Sequence, residues 1–396
     1  MAILSIRDLP IEGKRVFIRV DFNVPINKTT GEVSDTTRID AALPTIRHAL
    51  ERGARVILAS HLGRPDGKPN PKYSMQPVGK VLANLLPGVD ILIADEPTGD
   101  GVTRLATDLK PNQILLLENL RFSAGEEGND PGFSKELAAL AEVYVNDAFG
   151  TAHRAHASTA GMVAHFEEKG AGFLMMKEVE FFTKLLKAPE KPFVAILGGA
   201  KVADKVGVIR NLLELVNVIV IGGAMANTFL AARGKELGGS RVEADKFGLC
   251  KEIEEAARAR GVQFLLPTDL VIADGLDATV VETVPVASGV PATKMALDIG
   301  PDSRRAFAEV VEGASTIFWN GPMGVFENPA LAQGTLAVAA AVAGTHAVSV
   351  VGGGDSVAAI NQAKVADKIS HVSTGGGASL EMMEGRILPG VAALEQ

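Results

Sequence analysis

The sequence predicts an α/β protein of two domains, each a mainly parallel sheet covered by helices. Three observations predict it. Short apolar runs alternate with helical patterns along the whole chain, as in parallel strands buried on both faces. Nearly every unusual loop directly follows one of those runs, and right-handed crossovers bring such loops to one sheet edge, where ligands bind. The chain, at 396 residues, is also long for a single core.

Residues 171–205 divide the chain. They open with a predicted helix, Phe173 to Leu186, in which Phe173, Leu174, Met176, Val179, Phe182, Leu185 and Leu186 fall near helical spacing. Pro189 and Pro192 end it. The strand Phe193-Val-Ala-Ile-Leu197 follows, then Gly198-Gly-Ala-Lys201-Val-Ala-Asp-Lys205. Before this stretch the loops after strands carry Arg and His; after it they carry glycine. Arg suits a small anion that needs a side-chain fork. Glycine suits a polyphosphate lying against bare backbone N–H groups. Both kinds of loop on one chain point to two substrates brought together.

Composition narrows the class. Hydrophobic residues make up 47% and charged residues 22%, the balance of a globular protein. A net charge of −8 argues against a nucleic-acid binder and makes local Arg clusters informative. The single cysteine, Cys250, excludes an intramolecular disulfide and a cysteine-only zinc site. Met1-Ala-Ile-Leu lacks the basic start and long apolar core of a secretory signal, so none is expected. No apolar run reaches the ~18 residues of a membrane span.

Taken in order, Val16–Val20 reads as a strand running into Asp21-Phe-Asn23. Ile39 to Arg52 reads as a helix closed by Gly53, with Pro44 in its first turns or delaying its start. Arg55–Ala59 is a strand before Ser60-His61-Leu-Gly63-Arg64-Pro65. Gln76 to Leu86 is helical; Ile91–Ile93 and Ile114–Leu117 are strands, the second leading into Glu118-Asn-Leu-Arg121-Phe. A helix from Lys135 to Ala141 precedes strand Val143–Val145 and the loop to His153, Arg154 and His156.

The second half repeats this rhythm. A helix near Val206–Val216 precedes strand Val218–Ile221 and Gly222-Gly223. Asp245 to Arg260 is a charged helix, Val262 to Ala273 is mainly extended, and Thr279–Val286 alternates as a side strand would. Asp302 can cap a helix to Glu312. Strands Thr316–Trp319, Ala347–Val351 and Ile369–Val372 lead into Asn320-Gly-Pro-Met-Gly324, Gly352-Gly-Gly-Asp355-Ser356 and Ser373-Thr-Gly375-Gly376-Gly377.

The basic set is Arg38, His61, Arg64, Arg121 and Arg154, with Asp21 and Asn23 nearby. Asp21 cannot attract an anion, so it would hydrogen-bond a hydroxyl or orient an Arg. Together these groups describe a small acid with a phosphate, a carboxylate and a hydroxyl. His61, between Ser and Gly-Arg, reads as a hydrogen-bond donor rather than an acid–base group. His153 and His156 read as structural.

Among the glycine loops, Gly198-Gly199 precede Lys201 and Lys205 at a helix mouth, where backbone N–H groups and lysine charge favour a phosphate. Asp355 is either an N-cap or a ligand to phosphate-bound Mg²⁺. The Walker loop, the dinucleotide fingerprint, the protein-kinase set and a zinc cluster are all absent from the sequence.

The ordered motifs Arg19-Val-Asp21-Phe-Asn23-Val-Pro25, Ser60-His61-Leu-Gly63-Arg64-Pro65, Glu118-Asn-Leu-Arg121-Phe, Gly198-Gly-Ala-Lys201-Val-Ala-Asp-Lys205, Trp319-Asn-Gly-Pro-Met-Gly324 and Gly352-Gly-Gly-Asp355 resemble those of the phosphoglycerate kinases. They run in order from residue 19 to residue 355, and the Gly375-Gly376-Gly377 loop extends the match to residue 377. Ser356 departs from the family's frequent Thr but keeps a hydroxyl.

The resemblance implies two Rossmann-like domains with six-stranded parallel sheets. A phosphoglycerate-binding domain would take residues 1–172 with a returning tail at 380–396. A hinge helix would take 173–186, and a nucleotide-binding domain 187–379. It implies reversible phosphoryl transfer from 1,3-bisphosphoglycerate to MgADP, giving 3-phosphoglycerate and MgATP, in glycolysis and gluconeogenesis. It also implies a cytoplasmic monomer that engages neither nucleic acid nor membrane.

By the same match, Asp21, Asn23, Arg38, His61, Arg64, Arg121 and Arg154 would hold the acid. Lys201, Lys205, Gly222, Gly300, Asn320, Glu327, Gly353, Gly354, Asp355 and Ser356 would hold ATP or ADP, with Glu327 at the ribose and Asp355 at Mg²⁺. Arg38, Lys201 and the N–H groups of Gly375 and Gly376 would surround the moving phosphoryl group. An ionised carboxylate needs no general base, which fits the lack of one among the loops. Hinge closure is expected only when both substrates are bound. A two-domain nucleotide-sugar glycosyltransferase and a non-enzymatic anion-binding protein are the alternatives.

Overall fold

A computed structural model of the chain describes residues 3–395. Its contacts group into two compact units, Met1–Glu180 with Ile387–Gln396, and Phe181–Arg386. The division therefore falls inside the helix Phe173–Lys187, and the returning segment begins at Ile387 rather than near residue 380.

The first unit holds strands β1 Arg15–Arg19, β2 Arg55–Ala59, β3 Asp90–Ile93, β4 Gln113–Leu116, β5 Val143–Asn146 and β6 Lys169–Ala171. They form one sheet in the order β3-β4-β2-β1-β5-β6, with every pairing parallel. Ile18 lies beside Leu58 on one side and Val145 on the other, and all three are fully buried. That explains why these strands read as continuous apolar runs.

Helix Thr37–Glu51 packs Ile39, Leu43 and Ile46 onto the same core. It starts two residues earlier than predicted and runs straight through Pro44. Burial of its apolar face outweighs the one backbone bond that proline cannot donate. Strand β6 was not foreseen, because Lys-Gly-Ala has no apolar signature. Its register is set by neighbours: Ala171 N–H donates to Leu4 O at 2.8 Å, and a Cβ on Gly170 would strike that same carbonyl.

The second unit carries β7 Phe193–Leu197, β8 Val218–Ile221, β9 Gln263–Leu265, β10 Asp269–Ala273, β11 Glu282–Pro285, β12 Met295–Ile299, β13 Thr316–Asn320, β14 Val348–Gly352 and β15 His371–Val372. Six of these form a parallel sheet in the order β15-β14-β13-β7-β8-β9. The other three form an antiparallel sheet in the order β11-β10-β12. The extended stretch 262–273 is thus two strands in two different sheets. Strand β12 escaped sequence reading because Asp298, a buried carboxylate, interrupts its apolar pattern.

Three buried aspartates cap helices from far away in sequence. Asp147 Oδ1 accepts from Met175 N at 3.1 Å, Asp269 from the N–H groups of Asp302 (3.0 Å) and Ser303 (2.8 Å), and Asp298 from Gly334 N at 2.7 Å. The first of these fixes the start of helix 173–187 in the first unit, aided by Thr45 Oγ1, which accepts from Phe173 N at 2.9 Å. Burial pushes the Asp147 and Asp298 carboxyls up to about 7. Ser303 Oγ also donates to Asp269 Oδ1 at 2.5 Å, and the helix Pro301–Glu312 is N-capped by Gly300, not by Asp302 as the sequence suggested.

Candidate functional site

Parallel pairing places the ends of β1, β2, β4 and β5 on one edge of the first sheet, and the basic set gathers there. Asp21 follows β1 and accepts through Oδ2 from Arg38 Nη1 at 2.5 Å. Asp21 is buried and Arg38, in the first turn of helix 37–51, is half-exposed. Of the two roles open to Asp21, the structure displays the orienting one. Asn23 Oδ1 accepts from Gly63 N at 2.9 Å, and Gly63 O accepts from Arg121 Nη1 at 3.0 Å. Gly63 thus ties the β1 loop to the β4 loop.

Arg121 is buried with its Nε 3.3 Å from Glu127 Oε1, and burial lowers its otherwise very high pKa. Arg154 Nε donates to His153 Nε2 at 3.2 Å. Arg64 is exposed and has no hydrogen-bond or ion-pair partner among the described residues.

Under this edge lies a charged network that the sequence analysis did not single out. Arg19, at the end of β1, is fully buried. Its Nε donates to Ser158 Oγ at 2.8 Å, and Ser158 Oγ donates to Glu126 Oε1 at 2.6 Å. Arg19 Nη2 lies 3.4 Å from His61 Nδ1 and 4.0 Å from Glu126 Oε1. A guanidinium only donates, so His61 Nδ1 is the acceptor and Nε2 carries the proton.

Burial, followed by the charges of Arg19, Arg121 and Arg38, drives the His61 pKa well below its usual value. His61 is therefore neutral, with its N–H at Nε2. His156 is buried beside Glu126, and burial lowers its pKa to about 4, in keeping with a structural role.

In the second unit the glycine loops pack differently from expectation. Gly198 N–H donates to Asn320 O (3.0 Å), Gly199 N–H to Pro322 O (3.1 Å), Gly222 N–H to Leu197 O (2.9 Å) and Gly223 N–H to Met323 O (2.9 Å). These N–H groups are therefore already used. Glycine is required because the loops press together: a Cβ on Gly198 would lie 2.0 Å from Pro322 O, and one on Gly223 2.6 Å from Gly199 O. Gly300 is similarly wedged against Asp269. Gly375 N–H donates to Ser373 Oγ at 3.1 Å, while Gly376 caps the short helix Gly377–Met383.

The helix Gly354–Gln362 is different. Its N-cap is Gly353, at φ +93°, with no side-chain cap. Asp355 is exposed in the first turn, so the N-cap reading of this residue is corrected. The first N–H groups of a helix have no acceptor within it, so this end is suited to an anion. Ser356 is buried and its Oγ accepts from Gly321 N at 2.6 Å. Lys205 is buried as well and donates through Nζ to Asn320 Oδ1, while Asn320 Nδ2 donates to Gly352 O at 2.8 Å. Burial lowers the Lys205 pKa to about 8, against the pull of Asp204 and Asp355. Lys201 is exposed.

Beside these loops is a cavity of about 330 Å³ whose wall includes Gly199, Gly223, Glu327 and Asp355 from the loops, and Leu270, Met295, Leu297 and Val325 from the antiparallel sheet and its surroundings. The apolar wall was missed in the sequence. The alternation Met295-Ala-Leu297-Asp-Ile299 was its one available signal. Among the described residues no cluster of three or more His, Cys, Asp or Glu could hold a metal ion. No described helix is long and apolar enough to cross a membrane.

The phosphoglycerate kinase family profile matches residues 6–386. The chain is 55% identical over 396 residues to a phosphoglycerate kinase of Moorella thermoacetica, covering all of both chains. It is also 55% identical to one of Acidobacterium capsulatum, again end to end. Among solved structures, it resembles phosphoglycerate kinase from Coxiella burnetii with a TM-score of 0.90 and 40% identity, covering 99% of each chain. The similarity to the enzyme from Pyrococcus horikoshii has a TM-score of 0.84 at 33% identity, covering 99% of this chain and 98% of the other.

Proposed function

Because this chain belongs to the phosphoglycerate kinase family, we propose a division of its ATP:3-phosphoglycerate phosphotransferase reaction between the two units. The reaction moves a phosphoryl group reversibly between 1,3-bisphosphoglycerate and ADP, in glycolysis. The first unit takes the acid. Arg64, Arg121 and Arg154 hold its phosphate, His61 donates Nε2–H to an oxygen, and Asn23 meets the hydroxyl. Arg38, aimed by Asp21, is the cation turned toward the carboxyl and the group it receives. The gathering of these groups on one sheet edge is the observation that carries this reading.

The second unit takes the nucleotide. The base enters the apolar side of the 330 Å³ cavity, Glu327 meets the ribose hydroxyls, and the open start of helix 354–362 faces the phosphates. Gly222, Gly300 and Asn320 act by holding the loops and Lys205 in place. Phosphoglycerate kinases use ATP or ADP with Mg²⁺. Mg²⁺ is commonly held by one or two carboxylates together with substrate phosphates. The lone, exposed, uncapped carboxylate of Asp355 fits that donor set, so the metal would arrive with the nucleotide. When bound it neutralises phosphate charge.

Chemistry then needs little from the protein beyond placement. The acid's carboxylate is already ionised and attacks without a base. Arg38, Lys201 and the Gly376 N–H stabilise the charge spread over the transferring group; Gly375 N–H joins them only if it leaves Ser373 Oγ. Reacting atoms must come within about 3–3.5 Å, so substrates held by different units require closure once both are bound. We further assign the enzyme to the cytoplasm as a monomer that engages neither nucleic acid nor membrane. A coupled assay with 3-phosphoglycerate and MgATP tests the reading: turnover is expected, and its absence in folded protein would overturn it.

A further inference from the structure

We propose that Tyr73 is a positioning residue for the acid site, acting as a wedge that fixes Gly63 between Asn23 and Arg121. This rests on the assignment of those two residues to the acid. Gly63 is the link between them: its N–H is held by Asn23 Oδ1 (2.9 Å) and its carbonyl holds Arg121 Nη1 (3.0 Å). The Tyr73 ring stands where a side chain on this glycine would go. A Cβ on Gly63 would fall 2.4 Å from two ring carbons, and Gly63 already sits at φ +61°. The ring therefore occupies the space a side chain would take and prevents the loop from relaxing toward it.

Residues 71–75, the strap that carries the ring, are anchored by the Arg121 loop itself. Glu118 accepts from Ser74 Oγ (2.7 Å) and from Met75 N–H (2.7 Å). Asn119 Nδ2 donates to Tyr73 O (2.9 Å) and to Leu62 O (2.7 Å), and Asn119 Oδ1 accepts from Arg121 N–H (3.0 Å). Strap, Gly63 loop and Arg121 loop thus form a closed ring of bonds, with the partly buried tyrosine ring set against Gly63. The Tyr73 hydroxyl has no hydrogen-bond partner among the described residues, so the ring rather than the hydroxyl carries the effect. Tyr73, Gly63 and Asn23 all line one cavity of about 560 Å³, together with Val24 and Ile26. Removing the ring would widen that cavity at Gly63 and Asn23.

The test is steady-state kinetics on Tyr73→Ala and Tyr73→Phe, varying each substrate, with melting temperatures recorded for both. Tyr73→Ala is expected to raise the KM for 3-phosphoglycerate about tenfold, as misplacement of a binding group does, and to leave the KM for MgATP unchanged. Tyr73→Phe is expected to match the parent enzyme. Equal KM values for 3-phosphoglycerate in Tyr73→Ala and parent would overturn the proposal. So would a parallel rise in both KM values, or a Phe variant as impaired as the Ala variant. If Arg121→Ala leaves the KM for 3-phosphoglycerate untouched while Tyr73→Ala raises it, the assignment of Arg121 fails instead.

Discussion

Lys205→Arg should remove an alkaline limit on nucleotide use. In the free enzyme Lys205 is buried against Asn320, and burial brings its pKa from 10.5 to about 8. That gap corresponds to about 3 kcal/mol net, the desolvation penalty less the pull of Asp204 and Asp355. The ammonium is charged below about pH 8 and neutral above it. Nucleotide phosphates favour the charged form, so rising pH must weaken their capture. The quantity that reports groups of the free enzyme is kcat/KM. For MgATP at saturating 3-phosphoglycerate it should fall above about pH 8, by roughly tenfold per unit, reaching about 30-fold below its plateau near pH 9.5. Arginine keeps its charge throughout this range. The variant should have a lower plateau, because a guanidinium fits the Asn320 contact poorly, but no fall near pH 8. Initial rates across this range, with unfolding checked at each pH, measure both. A parent enzyme with a flat profile to about pH 9.5, or an identical fall in Lys205→Arg, would refute the reasoning.

Lys201→Ala, by contrast, should lower kcat far more than it raises the KM for MgATP, because its charge counts most where negative charge spreads over the transferring group in the transition state; near-normal turnover would remove Lys201 from the mechanism. Arg121→Ala should weaken 3-phosphoglycerate binding by about 1.5–3 kcal/mol. Arg64→Ala should cost less, since Arg64 is exposed, and Arg38→Ala should act mainly on kcat; equal effects on KM from all three would make Arg38 a plain binding residue. Asp147→Asn concerns stability: the folded carboxyl titrates near 7 against about 3.9 unfolded, so its contribution is full at low pH and is lost as pH rises toward 7. The Asn variant should gain on the parent across that window by up to about 4 kcal/mol and then level off; denaturant midpoints independent of pH would contradict it. Small-angle scattering should show a smaller radius of gyration with both substrates bound than with either alone, and an unchanged value in a turning-over mixture would count against closure.

Some of this was written in the order of residues alone. Apolar runs such as Val16–Val20 and Phe193–Leu197 declare buried parallel strands, because a strand covered on both faces needs no polar alternation. The loops after them declare their chemistry, because right-handed crossovers leave few places for an Arg at a strand end other than a shared edge. The placement of Asp21, His61, Arg64 and Arg121 at strand ends was legible for that reason. Strand β6 was not, since three residues without a pattern become a strand only when β5 and Leu4 O stand beside them.

Asp355 invited a capping role that falls instead to Gly353, because the choice depends on backbone angles at φ +93°. The glycines of the second unit invited phosphate binding through N–H groups that the fold spends on neighbouring loops. Helix 173–187 showed its own periodicity, but its cap, Asp147, comes from a different strand end. Periodicity is local and survives in the sequence. Which buried carboxylate meets which helix start, and which ring rests on which glycine, depends on segments that only chain folding brings within 3 Å or so of each other.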